Sequence, residues 1–238
     1  MTAKTGARRA SYSSPTILAR RARLLEAARE LIAEQGVAGF GMAELSARAN
    51  VAKQTVYNIF QTKERVVAAA INEYFEQRDA QISYHSPPAT MAWMIERTMV
   101  AGRAAQTIPN YMSAVTALYH SLDPDPEIWA AIHRANVHAH QAWIQRLGRV
   151  GQLQAWARPD LLVEDITTAR AALVLRWVRG ELDGDEWLRR SLVNTLLPVA
   201  AAALEPARGE AEAKLQEIVE VGLADYDLPP APWRAGSR

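Results

Sequence analysis

Apolar positions recur along the chain three and four residues apart, and glycine or proline breaks the rhythm at short intervals. From Thr16 the residues Ile17, Leu24, Leu25, Ala28, Leu31 and Ile32 keep helical spacing, and the pattern stops at Gln35-Gly36, where glycine suits a C-terminal cap. Met42, Leu45 and Ala49 share a face of a short second helix that ends at Asn50, a residue tolerant of a left-handed turn. Val51 to Phe60 reads as a third helix, and Thr62 as the N-cap of a fourth that runs from Lys63 towards Gln81. Ser83 to Thr90 has no periodicity and holds Pro87-Pro88, which marks a boundary. Beyond it, helices are expected over Met91–Thr107, Pro109–Ser121, Pro126–Val150, Pro159–Glu181, Asp185–Leu204 and Ala207–Ala224. No run alternates with period two, so the fold class expected is all-α.

This punctuation divides the chain into a basic arm over 1–14, a small helical domain over 15–82, a larger one over 83–228 and a tail over 229–238. Charge sharpens the division. The overall net charge is +1, yet the residues up to Arg65 carry 11 basic and 5 acidic side chains, a net of +6, so the remainder carries −5. A basic module joined to an acidic one points to a polyanion meeting only the first, because phosphate neutralisation dominates affinity for nucleic acid.

The small domain contains a short helix, a tight turn at Asn50-Val51 and a second short helix. Leu31, Phe40, Leu45, Val51, Val56 and Phe60 suffice for its core. The helix after the turn then exposes Lys53, Gln54, Thr55, Tyr57 and Asn58. Glutamine and asparagine can pair bidentately with adenine, threonine can meet a thymine methyl, and lysine and tyrosine can reach phosphates or guanine. At Gly36, Phe40, Leu45, Ala49, Val51, Lys53, Thr55, Val56, Tyr57, Phe60, Lys63 and Glu64 the sequence resembles the N-terminal domain of the TetR family of repressors. The resemblance covers about the first 75 residues. It implies that Lys53, Gln54, Thr55 and Tyr57 face bases or nearby phosphates, with Asn58 and Lys63 on the DNA backbone. Asn50 stands where a glycine is common, Ala52 where a serine usually caps the helix, and Ile59 where an aromatic residue or histidine usually touches the backbone.

The same resemblance implies a homodimer on double-stranded operator DNA and a second domain that encloses a small-molecule effector. Candidate effector contacts are Trp93, Met94, Tyr111, Met112, Tyr119, Trp129, His133 and Trp143, large side chains that suit a largely apolar ligand. Candidate dimer contacts are Trp177, Trp187, Leu188, Leu192, Leu196 and Val199, unless that stripe is the domain's own core. A DNA-binding adaptor whose larger domain meets a protein partner is the alternative reading.

Other functions lose ground. The absence of cysteine removes disulfides, thiolate metal sites and a cysteine nucleophile. His133 and His140 are seven residues apart but lack a fitting carboxylate, so neither a metal nor another cofactor is expected. No phosphate-binding glycine loop, serine nucleophile motif or pair of carboxylates set in an apolar pocket is visible, which argues against an enzyme. No stretch reaches the roughly 18 apolar residues of a membrane span, and no secretory signal is visible, so a soluble cytoplasmic protein is expected.

Overall fold

The computed structural model describes residues 15–223, 226, 228 and 229, and the expected basic arm and most of the tail fall outside them. The described residues form ten helices and no strand: α1 (Pro15–Gly39), α2 (Met42–Arg48), α3 (Lys53–Phe60), α4 (Lys63–Ala80), α5 (Met91–Gln106), α6 (Pro109–Tyr119), α7 (Pro126–Arg149), α8 (Pro159–Val178), α9 (Gly184–Ala202) and α10 (Ala207–Glu220). The all-α expectation holds. A single bridge between Leu153 and Ala203 is the nearest approach to a sheet. No helix among the described residues is long and apolar enough to cross a membrane.

The stop signals read from sequence act as expected. Gly36 takes φ +69, which interrupts α1 and turns the chain towards Phe40. Asn50 takes φ +50 in the turn after α2. The Thr62 hydroxyl accepts the Arg65 amide and caps α4. Where boundaries differ, the cause is local. Val51 and Ala52 precede α3 because Ala52 is extended, at φ −58 and ψ 136, and supplies no side-chain cap. α8 stops at Val178 because Gly180 takes φ +75.

α1 packs on α2, α4 and α6, so its inner face, with Leu24, Leu25, Leu31 and Ile32 wholly buried, joins the small unit to the rest. α4 is the second link: it packs on α1, α3 and α7. In the larger part α7 packs on α8, α8 on α9, and α9 on both α5 and α10. The approach of α5 to α9 depends on Gly102, where a Cβ would lie 2.1 Å from Leu188 Cδ2.

This packing redirects the stripe expected to form a dimer. Leu188, Leu192, Leu196 and Val199 are buried within the single chain, where they hold α9 against its neighbours. Trp187 is buried as well and stacks on half-buried Trp177 at 4.3 Å between ring centroids. An apolar helical stripe that fills the interior cannot also be the surface offered to a second chain. The outward side of α9 carries Val193, Leu197 and Ala201, and that of α8 carries Leu161, Thr168 and Ala172.

Candidate nucleic-acid interface and effector cavity

α3 is held as a rigid projection. Val56 and Phe60 are buried on its inner side, beside Phe40, Leu45 and Val51. The turn before it is pinned twice: the Ser46 hydroxyl donates to the Val51 carbonyl at 2.5 Å, and the Val51 amide donates to the Ser46 carbonyl at 3.0 Å. Arg48 ties α2 to α1 through a two-pronged contact with Glu34 at 2.8 and 2.9 Å, which draws the Glu34 carboxyl below its usual range. With the backbone fixed, the outer side of α3 is set by sequence position alone.

That outer side carries the expected side chains. Lys53, Gln54, Tyr57 and Asn58 are exposed, Tyr57 at 40%, and Thr55 is half-buried. The Gln54 Nε2 donates to Asn58 Oδ1 at 3.0 Å, so these two amides are ordered relative to each other along the helix. Lys63 sits differently from the DNA-backbone role expected of it. Its Nζ donates to the Phe40 carbonyl at 2.6 Å and lies 4.7 Å from the Phe40 ring centroid. Lys63 therefore closes the small unit by joining the start of α4 to the loop before α2, because its stem is short of open solvent and a bare carbonyl lies within reach.

The expected effector residues do not converge on one place. Met94 and Trp143 are core. Tyr111 borders a cleft between α1 and α4, beside Glu26 and Arg29. Trp129 stacks on His133 at 4.5 Å and on Tyr119 at 5.7 Å near the surface, and the Tyr119 hydroxyl meets His133 Nδ1 at 2.9 Å. Trp93 packs edge-on against Tyr84 and lies under the Arg97 guanidinium. Only Met112 lines the cavity of about 90 Å³ that lies among α4 to α9.

Sequence reading missed the polar walls of that cavity, Arg78 on α4, Arg97 on α5, Arg170 on α8, and Trp187 and Ser191 on α9. A signal existed. Arg78 follows Ile71, Tyr74 and Phe75 on the buried stripe of α4, and Arg170 falls in register with Val163 and Thr167 on that of α8. A charged residue on an apolar stripe is the informative exception to burial.

His140, on the neighbouring stretch of α7, is fully buried, and its Nε2 lies 3.2 Å from the Val163 carbonyl and 3.0 Å from the Thr167 hydroxyl. Burial, then repulsion from Arg170, pull its pKa down to about 3, against a weaker opposing pull from the Val163 carbonyl. The folded chain thus keeps His140 neutral where an unfolded chain would protonate it. Between pH 6.5 and 3 the unfolded state binds the extra proton, so His140 should cost about 1 kcal/mol of stability per pH unit as pH falls through that window. Urea titrations at pH 7.5, 6 and 5 on the wild type and on His140→Gln check this: the wild-type loss should be steeper, and equal slopes would refute it.

Residues 24–70 match the sequence pattern of the bacterial regulatory proteins of the tetR family. Residues 24–70 belong to the TetR family. Solved structures agree in fold over most of the chain. TylP, a TetR regulator from Streptomyces fradiae, is 14% identical with a TM-score of 0.60, over 88% of this chain and all of that one. A TetR-family regulator from Rhodococcus sp. is 17% identical with a TM-score of 0.58, over 75% of this chain and 97% of that one. FadR from Bacillus subtilis, solved with stearoyl-CoA, is 16% identical with a TM-score of 0.57, again over 75% and 97%. No curated protein matches the chain by sequence. Residues 24–70 accordingly form the DNA-binding unit of a TetR-type regulator, with α2 and α3 as its helix-turn-helix.

Proposed function

We propose that this protein is an effector-responsive repressor that occupies a near-palindromic operator as a homodimer, with α3 of each copy in the major groove. The observation that carries this is the two-sided build of α3: Val56 and Phe60 buried beneath, and Lys53, Gln54, Tyr57 and Asn58 exposed above. At eight residues the helix is about 12 Å long, which suits a groove about 12 Å wide.

The second copy is proposed to seat on the outer sides of α8 and α9. Leu161 is 51% exposed and Leu197 59%, with Thr168, Ala172 and Ala201 at helical spacing from them. Exposed leucines among small residues on two adjacent helices favour close helix–helix contact with another chain.

α4 supplies the means of response. It begins beside α3 at Lys63 and reaches the cavity at Arg78, a span of about 22 Å along its axis. A ligand that binds one setting of α4 better than another would shift the separation of the two recognition helices, and operator affinity with it. FadR with its bound stearoyl-CoA supports a ligand-holding role for this helical fold.

Selection from random duplex oligonucleotides, followed by footprinting, tests the reading. The enriched sites should contain two related half-sites about 10 base pairs apart or a multiple of that. Binding should weaken log-linearly with salt. Absence of any enriched sequence would rule out the operator reading.

A further inference from the structure

The cavity among α4 to α9 has an unusual charge balance. Arg78, Arg97 and Arg170 all line it, and no carboxylate does. Arg78 is 7% exposed and Arg97 4%, and Arg170 is part-buried. Among the described residues Asp79 is the sole acidic partner of the three: it pairs with Arg97 from the side of a neighbouring cleft, where His138 Nδ1 also meets Arg97 at 2.8 Å. Arg78 lies over the rings of Tyr74 and Phe75, at 5.6 and 4.9 Å, with the Tyr74 hydroxyl also within its reach, and it forms no ion pair among the described residues. Arg170 has only the hydroxyls of Thr98 and Thr195, at 3.3 and 3.1 Å. Arg78 Nε, Arg97 Nε and Trp187 Nε1 are buried and have no hydrogen-bond partner.

A buried guanidinium without a counter-ion is costly, and two in one cavity are costlier, because like charges repel strongly where water is excluded. The arginines register this themselves. Burial, then Arg78, then Arg170 pull the Arg97 pKa down to about 9, and burial pulls that of Arg170 down to about 10. The remaining wall is apolar, with Phe75, Met112, Val174 and Leu188. Surplus donors and surplus positive charge on one side, and hydrocarbon on the other, describe the complement of a particular chemistry.

We infer that the effector is an organic anion, a compact apolar group bearing a carboxylate or phosphate that is held between Arg78, Arg97 and Arg170. The inference rests on the effector-responsive reading above and replaces the largely apolar ligand expected from sequence. Arg78 lies on α4, so the anion would pull on the helix that carries the DNA-binding unit.

The test uses the purified full chain with no DNA present, so its outcome is independent of whether an operator exists. Thermal-shift and calorimetric titrations compare benzoate, hexanoate and phenyl phosphate with benzyl alcohol, 1-hexanol and inorganic phosphate. At least one organic anion should raise Tm and bind tenfold or more tightly than its neutral counterpart and than inorganic phosphate. Arg170→Met and Arg78→Met should each weaken that anion about tenfold or more, while the anion-free Tm stays level or rises, since an unpaired charge has left the interior. Arg170→Lys should recover part of the affinity. Equal binding of the alcohols, binding of inorganic phosphate alone, or wild-type affinity in both methionine variants would overturn the inference.

Discussion

Gln54→Ala combined with Tyr57→Ala should lower affinity for the selected operator on the order of 10²-fold without changing thermal stability. Each base-edge contact of this kind is worth about 1–3 kcal/mol, and two on separate side chains are close to additive. Both residues are exposed on α3, whereas Val56 and Phe60 are buried, so truncation removes contacts to DNA and leaves the core intact. Exposed substitutions of this sort stay within about 0.5 kcal/mol in stability. Fluorescence anisotropy at fixed salt, with Tm measured in parallel, reads both quantities. A double variant that binds within threefold of the wild type would mean that another surface reads the operator.

A larger effect is expected from a pair of changes remote from DNA. Leu161→Glu with Leu197→Glu should convert the protein to a monomer of 26.3 kDa and reduce operator affinity about 10²–10⁴-fold. Two half-site contacts joined in one particle act at high effective concentration, and that coupling disappears when the copies separate. Both leucines are exposed in the single chain, so glutamate there is solvated in the monomer and tolerated by its fold. In a dimer it would be buried without a partner and at a prohibitive cost. Analytical ultracentrifugation gives the mass, and a variant that sediments as the wild type does would place the interface elsewhere. Leu188→Glu cannot serve as this test: Leu188 is 1% exposed, so the substitution would damage the interior before it reached any interface.

The contrast between buried Leu188 and exposed Leu197 also shows why the DNA-binding face was legible in sequence and the dimer face was not. The exposed side of α3 follows from a single helix whose two buried residues, Val56 and Phe60, are four apart. One periodicity decides which side is in and which is out. For α9 the strongest apolar stripe, Leu188, Leu192, Leu196 and Val199, is the one a sequence reader picks, yet α9 is flanked by α5, α8 and α10. A helix with neighbours on several sides fills the interior with its best stripe and leaves a weaker one, Val193, Leu197 and Ala201, for solvent or a second chain. Lys63 illustrates the same limit at short range. Its position in the pattern is plain, but the Phe40 carbonyl that takes its ammonium comes from 23 residues away.

The chain's periodicity and punctuation determined what lies along one helix at a time: all-α structure, the left-handed turn at Asn50, the cap at Thr62 and the polar side of α3. Those properties depend on residues within a few positions of each other, so local backbone chemistry suffices to specify them. Only the tertiary structure decided which helices meet. It brought together Arg78, Arg97 and Arg170, which lie 19 and 73 residues apart in succession, around a cavity with no carboxylate. The energy of a buried charge depends on what surrounds it in space, and no spacing within one helix records that.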